Sequence, residues 1–230
     1  MQNALQRRIA RLLVGSHGST VLRMVLAAGY VRRFDANSRR VRDRFALYDL
    51  VAREIIRDRP FDYLEFGVYQ GESLAYIASH NRCADARFWG FDSFEGLPTQ
   101  WNARNPQGTF DVGGCMPQID DARVRFVKGW FDNTVPEFLR TYEAQGQLWI
   151  HIDADLYGST LQVLTFLNKY IRPGTVVMFD EIEDLENEFK ALCDFEAMSN
   201  KSLTLMAATD DCRQAAFVAD LAPKPPHHQN

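Results

Sequence analysis

Short apolar segments alternate with longer amphipathic segments over much of this chain. Five of the short segments predict β-strands, at 62–67, 87–92, 123–128, 148–153 and 174–180. The longer segments have apolar residues three or four positions apart, and this spacing predicts helices at 72–80, 133–143, 158–171 and 185–199. Buried strands that alternate with helices form βαβ units, so the pattern predicts a parallel sheet.

The two ends of the chain depart from this alternation. A further amphipathic helix is predicted at about 41–57, before the first strand. After the last helix, the apolar segments 202–208 and 213–219 flank a short polar turn, which predicts an antiparallel β-hairpin. We therefore expect a Rossmann-like α/β fold with a seven-stranded, mostly parallel sheet, an antiparallel terminal hairpin and helices on both faces.

The turns after the first two strands are typical of an edge that binds an adenosyl group. Residues 65–73 have the sequence Glu-Phe-Gly-Val-Tyr-Gln-Gly-Glu-Ser, and the second strand ends at Asp92. Glycine lets the backbone approach a ligand, and a carboxylate accepts hydrogen bonds from ribose hydroxyls. Dinucleotide sites carry Gly-x-Gly-x-x-Gly, whereas this turn has only Gly67-x-x-x-Gly71. We therefore predict S-adenosylmethionine (SAM) rather than NAD, and the terminal hairpin matches the class I methyltransferase sheet.

Acidic residues follow the fourth and fifth predicted strands, at Asp153, Asp155 and Asp180-Glu181. Neighbouring carboxylates repel one another unless a cation lies between them, and oxygen ligands suit Mg²⁺, Mn²⁺ or Ca²⁺. Capping of the following helices is the alternative, and it explains one or two of these residues. His151 lies two residues before Asp153 and shares its face of the strand. It could orient that carboxylate, act as a base or be a satisfied core residue.

Composition limits the class of protein. The chain has 230 residues, of which 46% are hydrophobic and 24% charged, as in a globular protein with one α/β domain. The net charge of −4 gives no reason to expect a nucleic-acid partner. The four cysteines have no Cys-x-x-Cys spacing, which favours small buried thiols in a reducing cytoplasm.

The first 60 residues carry 13 arginines against five acidic residues. This basic segment could lie as an amphipathic helix on an anionic membrane surface. We favour a helical extension that packs on the sheet or on a second subunit, because Gly15 and Gly18 interrupt it. The apolar runs are much shorter than the roughly 20 residues of a spanning helix, and a signal peptide is not expected. We predict a helical N-terminal extension at 1–60, a methyltransferase domain at 61–221, a disordered tail at 222–230 and a homo-oligomer.

Four segments of the chain resemble the macrocin O-methyltransferase (TylF/MycF-type) family. They are 65–73, the Asp-Ser-Phe-Glu-Gly-Leu-Pro of 92–98, 129–134 and the Asp-Ala-Asp-Leu-Tyr-Gly-Ser-Thr of 153–160. The resemblance implies SAM- and Mg²⁺-dependent methylation of a sugar hydroxyl, with Mn²⁺ as an alternative cation. It implies metal ligands at Asp153, Asp180 and Glu181. It implies cofactor contacts at Glu65, Phe66, Gly67, Val68, Tyr69, Gln70, Gly71, Ser73, Asp92, Ser93, Gly129, Trp130, Phe131 and Asp153.

Two features of the chain depart from that family. Asp180-Glu181 stands where the family has Asp-Asp, and 93–125 contains no histidine, although the macrolide enzymes have one in their lid. Asp153, the acceptor's own metal-bound oxygen and His151 are therefore the candidates for the base. The long segment 99–120, with three glycines and two prolines, is expected to be a lid.

We expect a SAM-dependent O-methyltransferase that acts on a small-molecule glycoside or a glycan. Three alternatives stay open. A catechol-type methyltransferase uses a similar carboxylate–metal site. A metal-dependent glycosyltransferase would use Asp153-Ala-Asp155 as its Asp-x-Asp motif, although the turns at Glu65 and Asp92 would then have no role. The third alternative is a non-catalytic module that binds SAM or a partner.

Overall fold

The computed structural model of the protein describes residues 20–35, 38–57 and 59–220. Predictions for the arginines before residue 20 and for the tail at 222–230 lie outside these residues. The helices are α1 Thr20–Arg33, α2 Arg44–Val51, α3 Glu72–His80, α4 Phe131–Leu139, α5 Tyr157–Leu167 and α6 Glu188–Ser199, and α2 continues into a π-helical turn at Ala52–Ile56. The strands are β1 Arg40–Val41, β2 Phe61–Phe66, β3 Arg87–Asp92, β4 Val124–Lys128, β5 Gln147–Ile152, β6 Val176–Phe179, β7 Leu203–Thr209 and β8 Ala215–Ala219.

One sheet contains all the described strands, in the order β1-β7-β8-β6-β5-β2-β3-β4. Strands β4, β3, β2, β5 and β6 are parallel, and β8 pairs antiparallel with both β6 and β7. The Rossmann-like fold with a terminal hairpin is thus confirmed. The sheet has eight strands instead of the predicted seven, because β1 adds a short parallel pairing to β7.

Strand β1 is too short for its residues to show a periodic pattern. The backbone N–H of Ala208 donates to the carbonyl of Arg39 at 3.0 Å, and the N–H of Asp210 donates to that of Val41 at 2.7 Å. These bonds cover the outer edge of β7, which would otherwise expose unpaired backbone groups. The strand thus completes the sheet on the side where the hairpin ends.

Strands β2 and β5 form the centre of the core. Every residue of β2 is buried, as expected for a parallel strand covered on both faces. Leu64 and Phe66 point into the layer that contains α1, α4, α5 and α6, whereas Phe61 and Tyr63 point into the layer under α2 and α3. The alternation places consecutive side chains on opposite faces. Residues just beyond the strands are therefore held between two packed layers.

Helix α1 packs against α6 on one face of the sheet. The ring of Tyr30 meets that of Phe189 edge to face at 5.3 Å, and the Tyr30 hydroxyl donates to the carbonyl of Cys212 at 2.9 Å. Arg23 pairs with Glu186 at 2.8 Å between their charged atoms. This part of the N-terminal extension is therefore fixed to the sheet, although the division at residues 60 and 221 stays a prediction.

The other side of α1 is exposed. Leu22, Met24 and Val25 have 41%, 60% and 63% of their surface accessible. Such apolar exposure is compatible with the predicted self-association, which stays a prediction. Within the described residues, every helix is too short or too polar to cross a bilayer.

Gly67 allows β2 and β5 to meet at their carboxyl ends. The N–H of Asp153 donates to the carbonyl of Phe66 at 2.9 Å. Gly67 has φ +94°, and a Cβ added there would lie 1.7 Å from the carbonyl oxygen of Asp153. A side chain at this position therefore meets backbone that cannot move without breaking the junction of the two central strands.

We expect Gly67→Ala to lower the free energy of unfolding far more than Gly108→Ala. Gly108 also has a positive φ, of +82°, but an added Cβ there would meet no atom within 4 Å. The control substitution thus measures the cost of the backbone conformation alone, about 1–2 kcal/mol. Chemical denaturation of both variants tests this, and equal losses would contradict the role assigned to the contact at Gly67.

Candidate functional site

A cavity of about 420 Å³ opens at the carboxyl ends of the parallel strands. Strand order reverses between β2 and β5, and ligands of open α/β sheets bind outside the strand ends at such a reversal. The volume is within the range of small-molecule sites. Its lining includes the predicted residues Gly67, Val68, Tyr69, Asp92, Ser93, Gly129, Trp130, Phe131, Asp153, Asp180 and Glu181. The other predicted residues, Glu65, Phe66, Gln70, Gly71, Ser73 and His151, lie outside that lining.

The carboxylate of Asp92 organises the two turns on one side of the cavity. Its Oδ2 accepts hydrogen bonds from the backbone N–H groups of Val68 at 2.7 Å and Tyr69 at 2.8 Å. Its Oδ1 accepts one from the N–H of Phe94 at 2.7 Å. Hydrogen bonds to an ionised acceptor are stronger than neutral ones. One side chain therefore holds the turn after β2 against the turn after β3.

Glu65 lies beneath these turns and is fully buried. Its carboxylate accepts hydrogen bonds from the hydroxyls of Ser73 and, at 2.8 Å, of Tyr63. Burial raises the pKa of this carboxyl above its ordinary value. Glu65 and Ser73 thus tie β2 to the start of α3, and they support the turn from below.

The turn after β4 supplies the aromatic side of the cavity. Gly129 has φ +138°, and its N–H donates to the carbonyl of Asp92 at 2.8 Å. Trp130 is 37% exposed, whereas the Phe131 ring packs edge to face on Phe66 at 5.7 Å. Trp130 is therefore free to contact a ligand, while Phe131 is partly anchored in the core.

Three carboxylates form a compact group on the opposite side of the cavity. Asp153 and Asp155 follow β5, Glu181 follows β6, and oxygens of all three lie within 4.8 Å of one another. Burial, followed by the charges of Asp180 and Glu181, raises the pKa of Asp153 well above its ordinary value. Burial and the charge of Asp180 raise the pKa of Asp155 to about 7. Such shifts mark carboxylates that lack enough positive charge around them.

Asp180, the third predicted metal ligand, borders this group but has different partners. Its Oδ2 accepts a hydrogen bond from the Gln214 side chain at 3.2 Å, and its Oδ1 lies 3.9 Å from Nε2 of His151. Burial acts to raise the pKa of Asp180, but His151 and Gln214 favour the charged form and leave the pKa below its ordinary value. Nδ1 of His151 lies 2.6 Å from the hydroxyl of Tyr63. His151 therefore lies behind Asp180 and does not itself line the cavity.

Two arginines from distant segments also line the cavity. Arg213, in the turn between β7 and β8, donates to Oε1 of Glu181 at 2.5 Å. Arg44, at the start of α2, pairs with Glu72 and faces the charges of Asp180 and Asp153. Both guanidinium groups partly offset the acidic charge of the site.

The predicted long loop at 99–120 consists of turns and isolated bridges, and it covers one side of the cavity. Trp101 and Phe110 line the cavity from this loop. The Trp101 indole N–H donates to Oδ2 of Asp184 at 2.9 Å, and the Lys128 ammonium donates to the carbonyl of Gly114 at 2.6 Å. These contacts tie the loop to both ends of the crevice, and its role as an acceptor lid stays a prediction.

The match to a known family decides the class of this protein. Residues 64–182, just over half of the chain, match a family model described as a methyltransferase domain. The chain belongs to the methyltransferase domain family. The matched segment begins in β2 and ends just beyond β6, so it contains the Asp92 turns and the three clustered carboxylates of the domain.

Curated relatives of this methyltransferase domain are similar over part of their length. The mycinamicin III 3''-O-methyltransferase of Micromonospora griseorubida is 26% identical over 144 residues, which are 53% of this chain and 55% of the relative. The 8-demethyl-8-(2,3-dimethoxy-alpha-L-rhamnosyl)-tetracenomycin-C 4'-O-methyltransferase of Streptomyces olivaceus is 31% identical over 144 residues, 53% of each chain. The methyltransferase domain therefore aligns with about half the length of these relatives.

A solved structure supports the same fold for this methyltransferase domain. The O-methyltransferase NovP superposes with a TM-score of 0.62 over 77% of this chain and 79% of its own, at 22% identity. At this identity the likeness concerns the fold alone. The arrangement of helices and strands is thus shared with a known O-methyltransferase.

Several cavity residues of the methyltransferase domain were missed by the sequence reasoning. Arg44, Trp101, Gln162 and Arg213 belong to a helix start, a loop, a helix interior and a hairpin turn. None of these positions carries a local pattern that differs from ordinary surface sequence. Asp155 had a signal, because it is one of the acidic residues predicted to converge after the fourth and fifth strands, but it was not named among the predicted metal ligands.

We expect Asp92→Ala to lower the free energy of unfolding of the methyltransferase domain by about 2 kcal/mol or more, because three backbone N–H groups lose a charged acceptor. Asp111→Ala serves as the matched control, since the exposed Asp111 accepts one backbone N–H, from Gly113 at 2.7 Å. The control should lose about 1 kcal/mol or less. Urea denaturation measures both, and an Asp92 variant as stable as the control would contradict the bridging role.

Proposed function

We propose that this protein transfers a methyl group from SAM to a hydroxyl of a sugar in a glycosylated natural product or a glycan. One observation carries the proposal. A single cavity is lined on one side by the turns held by Asp92 and on the other by the clustered carboxylates of Asp153, Asp155 and Glu181. A cofactor edge and a cation-binding edge in the same crevice are what a metal-assisted methyl transfer requires.

The names of the curated relatives support a sugar acceptor. The Streptomyces olivaceus relative is named as a 4'-O-methyltransferase of a rhamnosyl tetracenomycin, and the Micromonospora griseorubida relative as a 3''-O-methyltransferase of mycinamicin III. Both modify oxygen atoms of antibiotics. We extend this chemistry to the present protein as its proposed acceptor class, in line with the resemblance to the macrocin O-methyltransferases.

The residues proposed to hold SAM lie at the turns after β2, β3 and β4. Bound SAM supplies an electrophilic methyl group on a positively charged sulfur. Asp92 is held in place by three backbone amides, and its oxygens keep lone pairs for ribose hydroxyls. Trp130 offers an exposed ring for stacking on adenine. Glu65 and Ser73 act from below, because they stabilise the turn without reaching the cavity.

We also propose that activity depends on a divalent cation, Mg²⁺ or Mn²⁺. A bound cation supplies positive charge that lowers the pKa of a coordinated hydroxyl. The donors fit such an ion, since they are carboxylate oxygens, and Oε2 of the buried Glu181 has no hydrogen-bond partner among the described residues. We propose Asp153 and Glu181 as ligands, because both belong to the ligand set expected from the sequence and to the group of carboxylates that lie close together in the structure.

The proposed group for receiving the proton of the acceptor hydroxyl is Asp153. It lines the cavity, and a carboxylate oxygen that is not bound to the cation can accept a hydrogen bond from the acceptor hydroxyl. General-base catalysis contributes about 10²–10⁴-fold to such a step. His151 is fully buried behind Asp180 and lies outside the cavity lining, so we assign it a positioning role.

A catechol-type acceptor is the second candidate, and one observation favours it. Tyr69, Trp101 and Phe110 line the cavity, so a flat aromatic ring would find apolar contacts there. The cytoplasm remains the proposed compartment, since the spacing of the four cysteines favours reduced, small buried thiols. An experiment must therefore distinguish a sugar acceptor from a catechol acceptor.

Transfer of labelled methyl groups from SAM tests the proposed function. We expect methylation of hydroxyl-bearing glycosides, such as rhamnosylated polyketides, and little turnover of a simple catechol. Product fragmentation by mass spectrometry should place the new methyl group on a sugar oxygen. Turnover of the catechol alone would move the acceptor to the second candidate, and tight SAM binding without turnover on either class would indicate a non-catalytic module.

Removal of metal tests the cation. We expect EDTA to abolish turnover and added Mg²⁺ or Mn²⁺ to restore it, because the clustered carboxylates then lack their counter-charge. The affinity for SAM, measured by calorimetry in the same buffers, should change only a few-fold, since Asp92 and the turns it holds are separate from the carboxylate group. Undiminished turnover in metal-free buffer would contradict the proposed cation dependence, but it would not contradict the proposed methyl transfer.

A further inference from the structure

The long loop at 99–120 contains a compact turn at 101–105. The backbone N–H of Trp101 donates to the carbonyl of Asn105 at 3.0 Å, and the N–H of Asn105 donates back to the carbonyl of Asn102 at 3.1 Å. The side chain of Asn102 accepts a further hydrogen bond, from the N–H of Arg104 at 2.9 Å. The turn is therefore one unit, in which Trp101 is half-buried although Asn102 and Arg104 are exposed.

A single side chain joins this turn to the rest of the described chain. The indole N–H of Trp101 donates to Oδ2 of Asp184 at 2.9 Å. Within the part of the chain that the structure describes, every other hydrogen bond of residues 99–106 has its partner inside the loop. The second half of the loop is held separately, by the bond between Lys128 and Gly114. The position of the 101–105 turn thus depends on Asp184.

Asp184 is held in place without the help of Trp101. Its backbone N–H donates to the carbonyl of Glu181 at 2.9 Å. Its Oδ1 accepts from the backbone N–H of Glu186 at 3.2 Å, and its Oδ2 accepts from the side-chain amide of Asn187 at 2.8 Å. The carboxylate is therefore a fixed acceptor just before α6, and Trp101 is the partner whose position depends on the bond.

The bond between Trp101 and Asp184 crosses the crevice. Trp101 follows β3 and Asp184 follows β6, and strands β2 and β5 lie between those two strands in the sheet. The residues just beyond β2 and β5 are Gly67 and Asp153, and both line the same cavity as Trp101. The loop therefore spans the strand ends at which methyl transfer is proposed.

Asp184 lies beyond the edge of the cavity that is proposed to receive the acceptor. It is three residues after Glu181, one of the clustered carboxylates, whereas the turns held by Asp92 form the opposite side. Trp101 lines the cavity, and an indole supplies a large and rigid contact area. A ring fixed at this place is a wall against which an acceptor can be oriented for transfer.

We propose that Asp184 is a positioning residue for the acceptor: its carboxylate holds the Trp101 indole across the ends of β2 and β5, where the ring contacts the acceptor. The identity of the acceptor side rests on the proposed methyl transfer, whereas the bond itself does not. Loss of the bond releases the 101–105 turn, so the acceptor loses one wall of its site. Orientation of the substrate is what a closed loop contributes to such a reaction.

Limited proteolysis of the whole purified protein tests the bond without substrate, because trypsin cleaves after the exposed Arg104. Trp101→Phe keeps an aromatic ring and removes the indole N–H, and Asp184→Ala removes the acceptor. We expect each substitution to speed cleavage after Arg104 about tenfold or more, since cleavage follows the open population of the turn.

Tyr157→Phe is the matched control for proteolysis. It also removes one hydrogen bond from an aromatic side chain to a carboxylate, that of Asp194 at 2.8 Å, and Tyr157 lies outside the cavity lining. Cleavage after Arg104 should stay at the wild-type rate in this control. A wild-type rate in Trp101→Phe, or equal acceleration in the control, would overturn the proposal.

Kinetics with a rhamnosylated polyketide as acceptor test the role of the bond in the site. We expect Trp101→Phe and Asp184→Ala each to raise the acceptor KM about fivefold or more, while the Kd for SAM, from calorimetry, changes less than about twofold. The double variant should lose no more than the poorer single variant, because both substitutions break the same bond.

Additive losses in the double variant, or a lower kcat at unchanged acceptor KM, would overturn the positioning role. Faster cleavage after Arg104 in variants of a protein that transfers no methyl group would instead confirm that Asp184 holds the turn and contradict the proposed function. Failure of the proposal and failure of the proposed function are thus distinguishable.

Discussion

The burial of several carboxylates at one edge of a parallel sheet is the constraint on which this structure depends. A carboxylate is most stable as a charged group in water, whereas here burial and the charges of neighbouring acids raise the pKa of Asp153 and Asp155. The mutual repulsion of these carboxylates does not separate the strands, because core layers on both faces of the sheet hold the strands in place. Arg213 and Arg44 offset part of the charge, and a cation is proposed to supply the rest.

Asp92, on the other side of the crevice, is a carboxylate whose charge is compensated by hydrogen bonds from the backbone. Its carboxylate is surrounded by backbone N–H groups, so it stays in place with its charge satisfied. Both sides meet at Gly67, where only a hydrogen atom fits against the carbonyl of Asp153. The spacing between the cofactor turns and the carboxylate group is thus set by the junction of β2 and β5.

The sequence predicted what depends on local pattern. The central strands, the hairpin and the Asp92 turn were expected from apolar segments that end in acidic or glycine residues, and the structure has them. Strand β1 was missed because two residues cannot show a period. The burial of Glu65 was also missed, since it depends on Tyr63 across one face of the strand and on Ser73 in the next helix.

A crystal structure with S-adenosylhomocysteine, the product of SAM after transfer, tests the central claim most directly. The account predicts ribose hydroxyls bonded to the Asp92 carboxylate, adenine against Trp130, and the sulfur directed toward Asp153 and its neighbours. An adenosyl group bound elsewhere would contradict the account. So would an adenosyl group that binds in the crevice with its ribose out of contact with Asp92.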